Sequence, residues 1–279
     1  MSLQASVVAH LPHVLADMNY LGPMSERPRN YTFEPPAGMP WSNVVNETRS
    51  VAIHDARPVA SRVSLDANGF ALLDHASAMR DFFDDEEVKR VYYPEVERLV
   101  KEATGAARVH IFDHTTRRRV VGALDRKGGP RQPVQRVHID HTARSGPQRV
   151  RDLLPDDADE LLKGRVQVIN VWRPINGPLR DSPLAVCDAT TIRFDDLVPS
   201  DLVYPHRVGE TYSVKYNPAH QWFYVPAMRS DEALLLKCSD TNQDVPARFT
   251  PHSAFVDPTT PANAPPRESI EVRTLVFHR

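Results

Sequence analysis

Twenty-five prolines against 11 glycines constrain this 279-residue chain more than any other feature. Proline removes a backbone donor and interrupts a helix, so a proline-rich chain favours short strands, ordered loops and sheet edges over long helices. The prolines crowd near the start, at Pro23, Pro28, Pro35, Pro36 and Pro40. Residues 1–60 therefore read as a Pro-rich N-terminal arm with short strands, wrapping a core formed by residues 61–279. Tyr31, Phe33 and Trp41 give that arm apolar surface to bury. No repeat or linker divides the remainder, so a single domain is expected overall.

Local patterns fill in the core. The turn signal Asn68-Gly69 leads into the short apolar strand Phe70–Asp74. Between Glu87 and Ala103, Val88, Val91, Tyr92, Val96, Leu99 and Val100 recur at helical steps. Asp84 stands where it can cap that helix, and Pro94 where it should break or kink it. A second helix is expected over Gln148–Leu162. Strands are expected at Arg108–Asp113, Val166–Val171, Leu184–Cys187, Thr211–Lys215, Trp222–Pro226, Leu234–Cys238 and Ile270–Phe277. Early helices followed by many short strands predict a β-rich α+β domain, a sandwich or barrel with helices packed outside. Trp172, Trp222, Phe223 and Tyr224 are core candidates, and Asp188 and Asp240 are turn formers.

Bulk properties exclude several classes. A net charge near -2 with no dominant Lys/Arg block argues against nucleic acid as a partner. The apolar runs are too short to span a bilayer. Met1 to Asn19 has neither the basic start nor the apolar run of a signal peptide, so a cytoplasmic protein is expected. The two cysteines, Cys187 and Cys238, lack metal-ligand spacing and read as buried free thiols.

The chemistry begins at His138-Ile139-Asp140. In a strand, residues i and i+2 point to the same face, so His138 and Asp140 can bind one metal ion together. A distant third ligand would complete a facial triad with open positions, the arrangement of non-haem Fe(II) oxygenases. The downstream candidates are His206, His220, His252 and His278. Arg267 follows His252 by 15 residues (267 - 252). In the last strand, Arg267, Ser269, Glu271 and Arg273 share one face, and Ile270, Val272, Thr274 and Val276 the other. An arginine and a serine side by side suit a carboxylate: the guanidinium supplies two parallel hydrogen bonds and the hydroxyl a third. A 2-oxo dicarboxylic acid that chelates the metal at one end would reach Arg267 with the other.

In the order His138, Asp140, His252, Arg267 and Ser269, the chain resembles the Fe(II)/2-oxoglutarate-dependent dioxygenases. It is most similar to a branch of secondary-metabolism hydroxylases and desaturases that includes cephamycin-methoxylase-like and gibberellin-desaturase-like proteins. Asn170-Val171-Trp172-Arg173-Pro174, Pro183-Leu184-Ala185-Val186-Cys187-Asp188 and His220-Gln221-Trp222-Phe223-Tyr224 carry that likeness. Glu232-Ala233-Leu234-Leu235-Leu236-Lys237 and Pro251-His252-Ser253-Ala254-Phe255 add to it, over roughly residues 65 to 279. The resemblance implies a double-stranded β-helix, or jelly-roll, core with flanking helices. It implies Fe(II) on His138, Asp140 and His252, and 2-oxoglutarate on Arg267 and Ser269. O2 would be co-substrate, with ascorbate as reductant in vitro. The implied reaction is hydroxylation, desaturation or oxidative cyclisation of a small molecule.

Alternatives stay open at this level. His220 competes with His252 as the distal ligand, since 114 residues separate His138 from His252 (252 - 138). Arg117-Arg118-Arg119 is expected at a solvated strand end, with an anionic-substrate contact as the rival. Arg173 is either a buried structural residue or a substrate contact, and His114 and His141 are expected around the site or at the surface. A zinc hydrolase is a second reading, because His138-Ile139-Asp140-His141 has the form His-x-Asp-His. The metallo-β-lactamase pattern, however, wants another histidine where Arg136 stands. A third is a non-catalytic β-barrel binding protein with a vestigial metal site.

Overall fold

Runs of apolar residues too short for helices pair here into two sheets. The computed structural model describes residues 3, 5–123, 125 and 130–279; residues 1, 2 and 4 of the expected arm lie outside the described residues. The strands are β1 (His13–Leu21), β2 (Arg29–Tyr31), β3 (Asn46–Asp55), β4 (Phe70–Asp74), β5 (Arg108–Arg118), β6 (His138–Ile139) and β7 (Val166–Pro174). They continue as β8 (Leu184–Cys187), β9 (Leu197–Val203), β10 (Val208–Val214), β11 (Trp222–Tyr224), β12 (Glu232–Asp240), β13 (His252–Ala254) and β14 (Glu268–Phe277). The larger sheet has the order β1-β3-β11-β8-β13-β6-β10-β9-β2, and the smaller β4-β12-β7-β14-β5. One apolar cluster joins them, drawing Trp172, Leu234 and Leu275 from the smaller sheet and Val186 and Phe223 from the larger. This is the β-rich jelly-roll architecture expected.

The smaller sheet is covered on its other face too. Val96, Val100 and Tyr92 of the helical segment pack on Ile169, Val171, Leu235, Ile270, Val272 and Val276. Burial on both faces explains why β7 and β12 are continuously buried rather than alternating. The helical segment starts at Asp85, where the Asp84 carboxylate accepts from the Glu86 and Glu87 amides. It passes through a π turn at Val88–Tyr92 before Tyr93–Thr104. Pro94 sits in the first turn after that bulge. The wider turn absorbs a residue that cannot donate a hydrogen bond, so the helix changes winding instead of stopping. Gly105, at φ 67, ends it in the left-handed conformation.

Two expectations change. The helix over Gln148–Leu162 is two short helices, Ser145–Leu153 and Ala158–Leu161. Pro155 separates them, and Leu154 before it is held at ψ 54, outside the helical region. The segment expected as an arm also carries longer strands than foreseen. β1 and β3 pair antiparallel from His13↔His54 to Leu21↔Asn46, and β3 joins β11 in parallel. β2 pairs with β9 at the opposite edge of the same sheet.

Candidate metal and cofactor site

β6 is two residues long, but its place fixes the site. It lies between β13 and β10, with His138 directly opposite His252. The imidazole centroids are 4.4 Å apart. Asp140 follows at the end of β6, and its Oδ1 is 3.5 Å from His138 Nε2 and 3.9 Å from His252 Nε2. The three side chains offer ligand atoms within 4.8 Å of one another.

The donor set suits a metal ion. Each ring presents Nδ1 to a backbone carbonyl, His138 to Arg136 O at 2.7 Å and His252 to Thr250 O at 3.1 Å. With Nδ1 donating, each Nε2 keeps its lone pair and faces Asp140 Oδ1. Metal bonds of about 2.1 Å at right angles separate donor atoms by about 3 Å, so sub-ångström movements would close these groups on an ion. Burial, then the neighbouring His138, pulls the His252 imidazole down to about 4, so it is neutral at physiological pH. Burial alone would raise the Asp140 carboxyl. Arg273, with the two imidazoles, outweighs it and holds the group well below the usual range.

Asp140 uses its two oxygens differently. Oδ1 faces the imidazoles, while Oδ2 accepts from Asn170 Nδ2 at 2.8 Å and Arg273 Nε at 3.1 Å. Asn170 also donates to Glu271 Oε1 at 2.6 Å. Arg273 reaches Glu271, Asp113 and Thr115, each within 3.1 Å. Burial pushes the Glu271 carboxyl up despite Arg273. The role of Asn170 and Arg273 escaped the sequence reading. The available signal was a lone Asn inside the apolar run of β7.

The start of β14 forms the second half of the site. Arg267 is 2 % exposed, and its guanidinium carbon sits 4.9 Å from the Trp172 ring. Nε donates to Ser269 Oγ at 3.1 Å and Nη1 to Ser182 O at 2.9 Å. Among the described residues no carboxylate forms an ion pair with its side chain; Asp181 instead accepts from its backbone amide at 2.9 Å. Burial, then Arg117, lowers the guanidinium to about 9. A buried cation without a counter-ion calls for an anionic ligand. These residues therefore fit a bound carboxylate. The last strand alternates as expected: Ile270, Val272 and Val276 face the helix, while Glu271 and Arg273 face Asp140.

Other candidates fall elsewhere. His220 Nε2 meets Asp196 at 3.2 Å and its ring stacks on Tyr20, away from the triad. His278 bonds to Gln167, and His114 lies between Tyr93 and Asp85. His206 is exposed in the turn between β9 and β10. His141 packs edge-on to Phe112. Arg173 faces outward beneath the helix, donating to the carbonyls of His75 and Ser230 and lying over Tyr92, so it is structural. Asp188 caps a short turn, but Asp240 is an ion-pair partner of buried Lys237. The Arg117-Arg118-Arg119 run is not simply solvated. Strand alternation turns Arg117 inward and Arg118 outward to Glu268, while Arg119 pairs with Asp181. Both cysteines are buried and free.

Residues 18–277 match the family model described as an oxidoreductase/YMDC permease-like domain. The hydroxylase/desaturase efuI of Hormonema carpetanum is 36% identical, covering 82% of this chain and 84% of its own. The Fe(II)/2-oxoglutarate-dependent dioxygenase nvfI of Aspergillus novofumigatus is 35% identical, covering 88% and 90%. The solved structure of the iron and alpha-ketoglutarate-dependent endoperoxidase NvfI superposes with a TM-score of 0.86 at 32% identity, covering 95% of this chain.

Proposed function

Because the chain belongs to the Fe(II)/2-oxoglutarate-dependent dioxygenases, we propose that His138, Asp140 and His252 hold its iron and that Arg267 and Ser269 bind the distal carboxylate of 2-oxoglutarate. The observation that carries this is the pair of Nε2 atoms converging on one oxygen of Asp140, with both Nδ1 atoms held by carbonyls. Bound Fe(II) with 2-oxoglutarate and O2 supplies an oxidant strong enough to break an unreactive C–H bond. The protein's own groups bind, orient and shield. Asn170 and Arg273 restrain Asp140 so that one oxygen faces the ion. Arg267, packed on Trp172, holds the cosubstrate's far end.

The enzyme is an oxidoreductase. Its substrate is a small molecule of specialised metabolism, hydroxylated, desaturated or oxidatively cyclised, as the names of its relatives suggest. Residues 1–60 act as an arm around the catalytic core 61–279, consistent with β1 and β2 at the two edges of the larger sheet. Among the described residues no helix is long and apolar enough to cross a membrane. Two unpaired buried thiols favour a reducing compartment, the cytoplasm.

Succinate formation under air, with Fe(II), ascorbate and 2-oxoglutarate, tests the ligand set. Wild type and His220→Ala should form succinate, and His252→Ala should not. Succinate lost in His220→Ala but kept in His252→Ala would overturn the assignment.

A further inference from the structure

Arg117 of β5 lies directly opposite Ser269 of β14. Opposed residues of an antiparallel pair project to one face, with Cβ atoms about 4.5–5.5 Å apart. Arg117 therefore stands beside the serine that accepts from Arg267, on the inner face of the smaller sheet. Its side chain is 10% exposed. Nη1 donates to the Gln132 carbonyl at 2.7 Å, and the nearest carboxylate oxygen, of Asp125, is 3.8 Å away, beyond hydrogen-bond reach. Glu271, farther along the same face, is already bonded to Asn170 and Arg273. Two buried guanidiniums thus flank Ser269: Arg267 forms no side-chain ion pair among the described residues, and Arg117 has only the long contact with Asp125 at 3.8 Å. Burial disfavours the charge on both, and Arg117 adds to the cost at Arg267. An anion between them relieves both costs at once.

We propose that Arg117 is a second cation of the distal-carboxylate subsite, gripping with Arg267 the end of the 2-oxo acid that the metal does not hold. This rests on the reading of Arg267 and Ser269 given above. It makes the site selective for dicarboxylic over monocarboxylic 2-oxo acids, because a lone methyl end offers the two buried guanidiniums no anion. The charge of Arg117 is the operative property, and its bond to the Gln132 carbonyl is a secondary anchor.

Calorimetric titration of the Mn(II)-loaded enzyme under nitrogen, with 2-oxoglutarate and separately with 2-oxobutyrate, tests this without turnover. Removing a charged hydrogen-bond donor should weaken 2-oxoglutarate binding in Arg117→Gln by about tenfold or more. Binding of 2-oxobutyrate should be unchanged. Arg117→Lys, which keeps the charge, should bind 2-oxoglutarate clearly better than Arg117→Gln does. Wild-type affinity in Arg117→Gln, equal losses in the Lys and Gln variants, or a parallel loss of 2-oxobutyrate affinity would overturn the proposal. If wild type itself fails to bind 2-oxoglutarate, the reading of Arg267 and Ser269 falls, and Arg117 with it. Loss in Arg267→Gln but not in Arg117→Gln would leave the site reading intact and refute the role of Arg117 alone.

Discussion

Asp140 is the residue whose behaviour depends most on its neighbours. Free in water, a carboxylate offers either oxygen, or both, to a metal. Here Asn170 and Arg273 occupy Oδ2, so only Oδ1 points at the imidazoles. Outer partners of this kind commonly change metal affinity by about 10–100-fold. Arg273→Gln should therefore weaken Mn(II) binding by about that factor, measured by calorimetry under nitrogen. An unchanged dissociation constant would mean that Asp140 needs no external restraint. Residue-scale roles were legible in the sequence only where a short spacing encodes them. His138 and Asp140 are two apart, so strand alternation puts them together. Asn170 meets Asp140 across 30 residues of chain and Arg273 across 133, and neither distance leaves a pattern.

Elements place the candidate metal site through backbone contacts remote from it. Gly69 sits at φ +89 in the turn before β4, and a Cβ there would lie 2.1 Å from Thr250 Oγ1. The Gly69 carbonyl accepts from that hydroxyl, and the Thr250 carbonyl in turn holds His252 Nδ1. Gly69→Ala should destabilise the fold by about 1–3 kcal/mol through the left-handed backbone alone, with the clash adding to it. It should also weaken Mn(II) binding, because Thr250 must move. Urea unfolding read beside metal calorimetry separates the two effects. A stability loss with intact metal affinity would show that the shift stops short of His252. The Asn68-Gly69 turn itself was readable, since such a pair marks a turn whatever surrounds it. The strands β1 and β3 were not. Their residues are mostly polar or half-exposed, and they hold together by pairing with each other and with β11.

At the scale of the whole molecule, a partly buried ion cluster ties the loop before β4 to the smaller sheet. Lys237 Nζ is fully buried and reaches Asp66 and Asp240, each at 2.7 Å, and Arg165 bridges the same two carboxylates. Burial opposes ionisation of both acids, and Arg165 and Lys237 outweigh it, bringing Asp66 to about 2 and lowering Asp240 as well. A carboxylate with a depressed folded-state value stabilises fully above its unfolded value of about 3.9 and loses that contribution as pH falls through the folded one. Wild type should thus exceed Asp66→Asn in stability at pH 6, with the gap closing between about pH 4 and pH 2. Circular dichroism melts across that range give the difference directly. A gap that stays constant to pH 2 would show that the cluster contributes nothing through ionisation.

The pairing of His138 with Asp140, the alternation of the last strand and the capped early helix were determined by the sequence by itself. Each is a local pattern, fixed by strand alternation or helix capping without a distant partner. The choice of His252 over His220 as the candidate distal ligand came from tertiary structure, because strand pairing sets His252 opposite His138 and leaves His220 with Asp196. Tertiary structure likewise separated Arg173, turned out under a helix, from Arg117, turned in beside Ser269. The physical reason is the same in each case. A side chain's type is written in the chain, but its face and its partner are set by which distant strand lies beside it.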